Sequence, residues 1–418
     1  MAAGRPETES PRRRWKRRQW QVVGFPDASA RLAALVDGLQ ATGALTDPRW
    51  RDAFLQVPRH LFIPDRIWAD DGARADGWMV PVGRDDPYWW ENVYADYALP
   101  TQVDDGTPAG TDGRGRYTTG SASQPSLVAR MLEALQVTDG MRVLEIGTAT
   151  GYNAALLCAR LGSHNVTSIE VDPALADLGG TALEATGWKP TLVCGDGAQG
   201  VPEAAPFDRV LATVAAKQIP YAWVEQTRPG GVVLTPWGND YAATVLLRLT
   251  VDADGTATGR PIGDAPFMWL RAQRAHRGRW SDHVDFDAPV RTRHTSVDPH
   301  HVVAHGSGAE FTVGVAVPGL CRAWFDADDD SGESTLWLYD TAGSWASVDY
   351  VPGAGAYAVE QAGPRSLWAE VESAWRWWET HGRPDRSLFE VTVGTEGQRV
   401  RLAPSGDRTQ PTDLPSGP

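Results

Sequence analysis

No apolar run in the 418-residue chain approaches the roughly 20 residues needed to span a bilayer, so no membrane segment is expected. The positive charges near its start have no apolar stretch behind them, which argues against a secretory signal and for a cytoplasmic protein. Cysteine is scarce. Cys158, Cys194 and Cys321 are odd in number and widely spaced, giving neither a disulfide framework nor a zinc pattern, and reduced thiols are the expectation. His301 and His305 have the four-residue spacing of a helical zinc pair, but no glutamate follows His301 and no acid or cysteine completes a set, so no metal is expected. DADDDSGES, Asp326 to Ser334, has Ser331 where a calcium loop needs glycine and Trp337 at its twelfth position, and reads as a solvated hairpin tip. Positive charge is in deficit too. A net charge of −14 excludes nonspecific nucleic-acid binding for the body of the protein, the basic run PRRRWKRRQW (Pro11 to Trp20) being read as a tail.

What is present centres on RVLEIGTATGY, Arg142 to Tyr152. Val143 to Ile146 suit a buried strand, the glycine-bounded turn Gly147–Thr148–Ala149–Thr150–Gly151 follows, and Ala154 to Leu157 continue as a helix. Strand, tight turn and helix start are the ligand-facing unit of a doubly wound α/β sheet. The turn lacks the Gly-x-Gly-x-x-Gly pattern of pyrophosphate binders and carries an acid, Glu145, where a phosphate would be repelled. An acidic strand end suits instead a cofactor with a cationic centre and an ammonium group. S-adenosylmethionine fits that description, with S-adenosylhomocysteine as its product. VTSIEVD places Glu170 at the end of a second strand, where it can accept from two ribose hydroxyls. TLVCGDG ends a third with Asp196 and Gly197, suited to an adenine edge.

In this order VLEIGTATGYNAALL, SIEVD, GDGAQG, APFDRVLATVAA and RPGGVVLTPWG, preceded by VPRHLFIPD, YADYALP and SASQP, resemble the protein-L-isoaspartate O-methyltransferases over roughly Val57 to Val251. There are two departures. Ala149 replaces the usual middle glycine of the turn and is expected to be tolerated with ordinary dihedrals, and a longer polar segment separates Leu99 from Ser123. The resemblance implies that Ser123 stands beside the substrate carboxylate as the catalytic position, with Ser121 in the slot usually filled by threonine on the cofactor side. A plainer role is open to both: either serine can cap the helix beginning near Pro125. The resemblance also implies methylation of an aspartate or isoaspartate carboxylate in a peptide or protein. Such a group, with a pKa of about 4, is ionised at neutral pH and needs no general base.

The chain divides in this reading into a basic disordered tail (1–20), a helical and substrate-facing segment (21–125), the methyltransferase core (126–251), a link (252–290), a C-terminal α+β domain (291–402) and a disordered tail (403–418). Leu32, Leu35, Val36 and Leu39 recur at helical spacing, and His60 reads as a packed residue. Trp78, Tyr88, Trp89, Trp90 and Tyr94 precede a Gly-, Asp- and Thr-rich stretch, Asp104 to Gly120, expected to be a mobile lid. The alternating runs EFTVGVAV, STLWLYD, ASVDYV, LFEVTV and RVRL are expected to be antiparallel strands, interrupted by a helix over SLWAEVESAWRWWETHG. These additions favour a dedicated, ribosomally made precursor peptide over general isoaspartyl repair, a non-catalytic peptide scaffold being the remaining alternative.

Overall fold

The computed structural model describes residues 28–70, 77–274, 280–404 and 410–415. The basic tail, residues 1–20, lies outside the described residues, as do 405–409 and 416–418 of the expected C-terminal tail. Two compact units emerge. Among the described residues, one comprises 28–133, Thr148–Ser163 and Asp172–Pro190, the other Ala134–Gly147, His164–Val171 and 191–415.

The first unit holds α1 (Ala28–Ala41), α2 (Pro48–Gln56), β1 (Arg66–Asp70), β2 (Met79–Gly83), α3 (Pro87–Val93), β3 (Leu99–Val103), β4 (Thr118–Ala122), α4 (Pro125–Leu135), α5 (Tyr152–Leu161) and α6 (Pro173–Ala185). α1 buries Leu32, Leu35, Val36 and Leu39, the stripe expected from their spacing. α2 and α3 start alike, an aspartate cap (Asp47, Asp86) followed by proline in the first helical position. β1 pairs with β2 and β3 with β4, both antiparallel. The mobile lid expected over 104–120 is instead a hydrogen-bonded hairpin arm. Its organiser is Asp104, whose carboxylate accepts from the backbone N–H groups of Ala109 (3.0 Å), Arg116 (2.9 Å) and Tyr117 (2.9 Å). Burial pushes that carboxyl up, but the three N–H donors and the Arg116 charge outweigh it and hold it below the usual carboxylate range.

The second unit holds β5 (Val143–Ile146), β6 (Val166–Glu170), β7 (Thr191–Cys194), β8 (Phe207–Ala212), α7 (Tyr221–Glu225), β9 (Thr227–Trp237), β10 (Val245–Val251), β11 (Ala257–Asp264), β12 (Arg291–Thr295), α8 (Pro299–Val303), α9 (Gly308–Ala316), β13 (Cys321–Asp326), β14 (Ser334–Tyr339), β15 (Trp345–Tyr350), β16 (Tyr357–Ala362), α10 (Leu367–Thr380), β17 (Phe389–Gly394), β18 (Gly397–Leu402) and β19 (Thr412–Asp413). Ten strands form one sheet in the order β19-β18-β17-β11-β10-β9-β8-β5-β6-β7. β7, β6, β5, β8 and β9 run parallel, and every pairing beyond β9 is antiparallel. The strand order reverses direction between β5 and β8, the switch point where ligands meet such sheets.

Four expectations are corrected here. The link over 252–290 contains β11, which joins the large sheet between β10 and β17. β17 and β18, assigned by sequence to a separate C-terminal domain, extend that sheet, and Thr412–Asp413 of the expected disordered tail pair with β18 as β19. EFTVGVAV is not a strand but α9. Ser307 caps it by accepting from the Glu310 N–H (3.0 Å), while the Glu310 carboxylate reaches back to the Gly306 N–H (2.8 Å), so the two ends of an S-x-x-E sequence hold its first turn. The remaining sheet, β12-β16-β15-β14-β13, is antiparallel throughout, and Leu336, Leu338, Ala346, Val348 and Val359 pack with Val313, Leu367, Trp368 and Val371 of α9 and α10. Asp326 and Ser334 bound the turn of its β13–β14 hairpin, as the sequence suggested.

Candidate functional site

In the second unit the carboxyl ends of β5, β6, β7 and β8 lie side by side, Ile146 opposite Ile169 and Ala212, and Glu170 opposite Cys194. The chain leaving each strand is tied to its neighbour: Gly147 N–H donates to Ile169 O (2.8 Å), Gly195 N–H to Glu170 O (2.8 Å) and Thr213 N–H to Ile146 O (2.9 Å). Three acids mark this edge. Glu145 is fully buried on β5 and accepts from the Ser168 hydroxyl at 2.5 Å. Glu170 ends β6 and is buried. Asp196 stands two residues past β7, exposed, and caps the turn at Gly197 by accepting from the Ala198 N–H (3.0 Å). Gly197 is packed so tightly that a Cβ there would lie 2.6 Å from the Ile146 side chain.

Thr213 acts on the glycine turn directly, its hydroxyl donating to the carbonyls of Ile146 (3.1 Å) and Gly147 (2.9 Å). A Cβ at Gly147, whose φ is 102°, would meet that hydroxyl at 2.7 Å. Ala215 and Ala216, which follow Thr213 in the chain, are fully buried and bridge to Trp269 and Trp237.

The following residues of the turn, Thr148 to Gly151, belong with α5 and α6. Gly151 lies at φ 82° and Ala149 at φ 44°. Ordinary dihedrals were the condition for tolerating alanine, and the structure corrects that: Ala149 sits in the left-handed region, which costs a residue with a Cβ roughly 1–2 kcal/mol. Ala149→Gly should therefore stabilise the protein by roughly 0.5–1 kcal/mol after glycine's extra unfolded-state entropy. A higher urea midpoint at unchanged slope checks this, and a lower midpoint contradicts it.

Close approach shapes the same turn. Gly179, inside α6, faces it so nearly that a Cβ would lie 2.7 Å from the Ala149 carbonyl oxygen and 3.1 Å from the Thr148 methyl. At the start of α6, Asp172 accepts from the Ala174 N–H (2.9 Å) with one oxygen and from the Gln102 amide (3.1 Å) with the other, and Gln102 accepts from the Thr119 hydroxyl (2.9 Å). The hairpin that leads into SASQP is thus locked to the α6 cap. Sequence reasoning missed Gly179, Asp172 and Gln102; a glycine inside a helix was the available signal.

Ser121 and Ser123, half-buried, flank Ala122 at the end of β4. Neither caps α4. Asp96 does so, accepting from the Ser126 N–H (2.8 Å) and the Gln124 amide (3.2 Å). His60 packs as expected, its ring against Trp90 and its Nδ1 2.5 Å from the Tyr94 hydroxyl. Burial and the Arg84 charge push the imidazole below its ordinary range, so it faces the tyrosine neutral. Among the described residues no three His, Cys, Asp or Glu gather as a metal-binding set.

Three comparisons bear on this arrangement. The family described as Protein-L-isoaspartate(D-aspartate) O-methyltransferase matches residues 86–273. A Protein-L-isoaspartate O-methyltransferase of Methanococcoides burtonii is 32% identical over 238 residues, 56% of this chain and 97% of that one. The protein of the same name from Pyrococcus horikoshii is 31% identical over 243 residues, 58% and 93% of the two chains. A solved structure named protein-L-isoaspartate O-methyltransferase has the same fold, with a TM-score of 0.50 at 22% identity over 88% of this chain and 98% of that one.

Proposed function

Since the chain belongs to the protein-L-isoaspartate O-methyltransferase family, S-adenosylmethionine-dependent enzymes, we propose that it methylates the side-chain carboxylate of an aspartate or isoaspartate within a peptide. The observation that carries this is the row of acids at the carboxyl ends of adjacent parallel strands. When bound, S-adenosylmethionine supplies the methyl group and a neutral leaving sulfur. In our reading Glu145 contributes negative charge behind the turn, and Gly147, Thr148, Ala149 and Gly151 offer it backbone. Glu170 accepts from the ribose, while Asp196 and Gly197 border the adenine. Ser121 lies on the cofactor side, and Ser123 orients the acceptor carboxylate. With the acceptor already anionic, these residues need only align it and exclude water.

The ester gives the reaction its use. The next backbone nitrogen can attack the ester carbonyl, expelling methanol and losing its proton, to close a five-membered succinimide. We propose that this serves maturation of a dedicated, ribosomally made acidic peptide. The braced hairpin arm and the exposed Tyr97 and Tyr117, on the same unit as Ser123, support that reading. General isoaspartyl repair is the second reading, in keeping with the name of the relatives from Methanococcoides burtonii and Pyrococcus horikoshii. Competing a generic isoaspartyl peptide against an acidic precursor peptide separates them. Preferential conversion of the precursor, with loss of water by mass, supports maturation; faster methylation of the generic peptide overturns it in favour of repair.

A further inference from the structure

Arg59 follows Pro58 in a single helical turn, and its side chain is fully buried. Its Nη1 donates to the carbonyls of Val93 (2.8 Å) and Ala95 (3.3 Å), and its Nη2 to those of Tyr97 (3.0 Å), Ala122 (3.3 Å) and Ser123 (2.9 Å). One guanidinium thus joins three stretches far apart in sequence, VPRH, VYADY and SAS. None of the five acceptors is a carboxylate. Burial accordingly pushes the guanidinium down to about 10, where it is still charged at neutral pH.

The second hold on the same turn comes from Asp96, which lies between two of the segment's Arg59-bound carbonyls and grips the Ser126 N–H and the Gln124 amide. The carbonyls of residues 122 and 123 are therefore held by a cation, and the Ser126 backbone N–H and the Gln124 side-chain amide just beyond them by an anion. Ser123 sits between the two holds, and among the described residues no side-chain bond engages its hydroxyl. A lysine could not replace this fork, because its three N–H bonds radiate from one nitrogen and cannot span five carbonyls.

We infer that Arg59 is a positioning residue for methyl transfer, setting the Ser123 hydroxyl by clamping the backbone of residues 93–97 to that of 122–123. The inference rests on the proposed role of Ser123 and adds to it the group that holds it in place.

The test compares Arg59→Lys, Ser123→Ala and the double variant in the full-length protein. The readouts are kcat and KM for an isoaspartyl peptide and, separately, S-adenosylhomocysteine affinity by calorimetry. Arg59→Lys should lower kcat on the order of a hundredfold, the effect of a misplaced reacting geometry. S-adenosylhomocysteine affinity should stay unchanged, and the double variant should be no slower than the worse single variant. Arg59→Ala should regain part of its rate with added guanidinium. Effects that multiply in the double variant, or cofactor affinity falling in step with kcat, overturn the inference. A full rate for Ser123→Ala overturns instead the Ser123 reading beneath it. Should Arg59→Lys not fold, Asp96→Ala makes the same test from the amide side: a kcat loss that vanishes in a Ser123→Ala background supports the clamp, and one that multiplies overturns it.

Discussion

Glu170→Ala is expected to raise the dissociation constant for S-adenosylhomocysteine roughly five- to a hundredfold, the loss of about 1–3 kcal/mol that goes with removing a buried acceptor from paired hydroxyl donors. Glu170 is the last residue of β6, buried, and its backbone carbonyl is held by the Gly195 N–H. The substitution removes the side chain while that register bond stays, so the strand end keeps its place. Turnover at saturating S-adenosylmethionine should stay near that of the parent, because the carboxylate is assigned to the ribose and not to the reacting atoms. Calorimetry reads the first quantity and steady-state kinetics the second. An unchanged dissociation constant would remove Glu170 from the site.

Gly179→Ala should do more. A methyl group there would lie 2.7 Å from the Ala149 oxygen, 3.1 Å from the Thr148 methyl and 3.2 Å from the Gly151 nitrogen, two of these being rigid backbone atoms. Overpacking of that kind costs about 1–3 kcal/mol, and it displaces the turn assigned to the cofactor. Stability and S-adenosylhomocysteine binding should fall together, binding to near undetectable levels. Helix propensity alone argues the reverse, since alanine outranks glycine in a helix interior by about 1 kcal/mol. A stabilised Gly179→Ala that still binds cofactor would show that the close approach is not needed.

The β5–turn–α5 unit was legible because its signals are local: an apolar run, two glycines and a helix pattern within a dozen positions. The acids at the ends of β6 and β7 were legible for the same reason. β11 was not, since ATGRPIGD carries glycine and proline, which count against a strand, and its partner β17 lies more than a hundred residues away. α9 was misread because its residues from Gly308 to Gly314 are all buried, leaving no polar face to set a helical period. Its S-x-x-E start was visible and carried the better information. Arg59 was hidden for a different reason. Its acceptors are backbone carbonyls 34 to 64 positions away, and no residue type in the sequence marks a carbonyl as an acceptor. The Ala149 dihedral was half legible: the glycine usual at that place in the resembled family pointed to a positive φ, while alanine itself does not call for one.

The central proposition is that acidic strand ends bring a sulfonium methyl donor to a carboxylate that is anionic unaided. Incubation of the full-length protein with methyl-labelled S-adenosylmethionine and an isoaspartyl or acidic precursor peptide tests it most directly, followed by mild base. The account predicts label on the peptide that base releases as methanol, as an ester requires. Label that survives base, or no label on any carboxylate-bearing peptide while S-adenosylhomocysteine still binds, would contradict it.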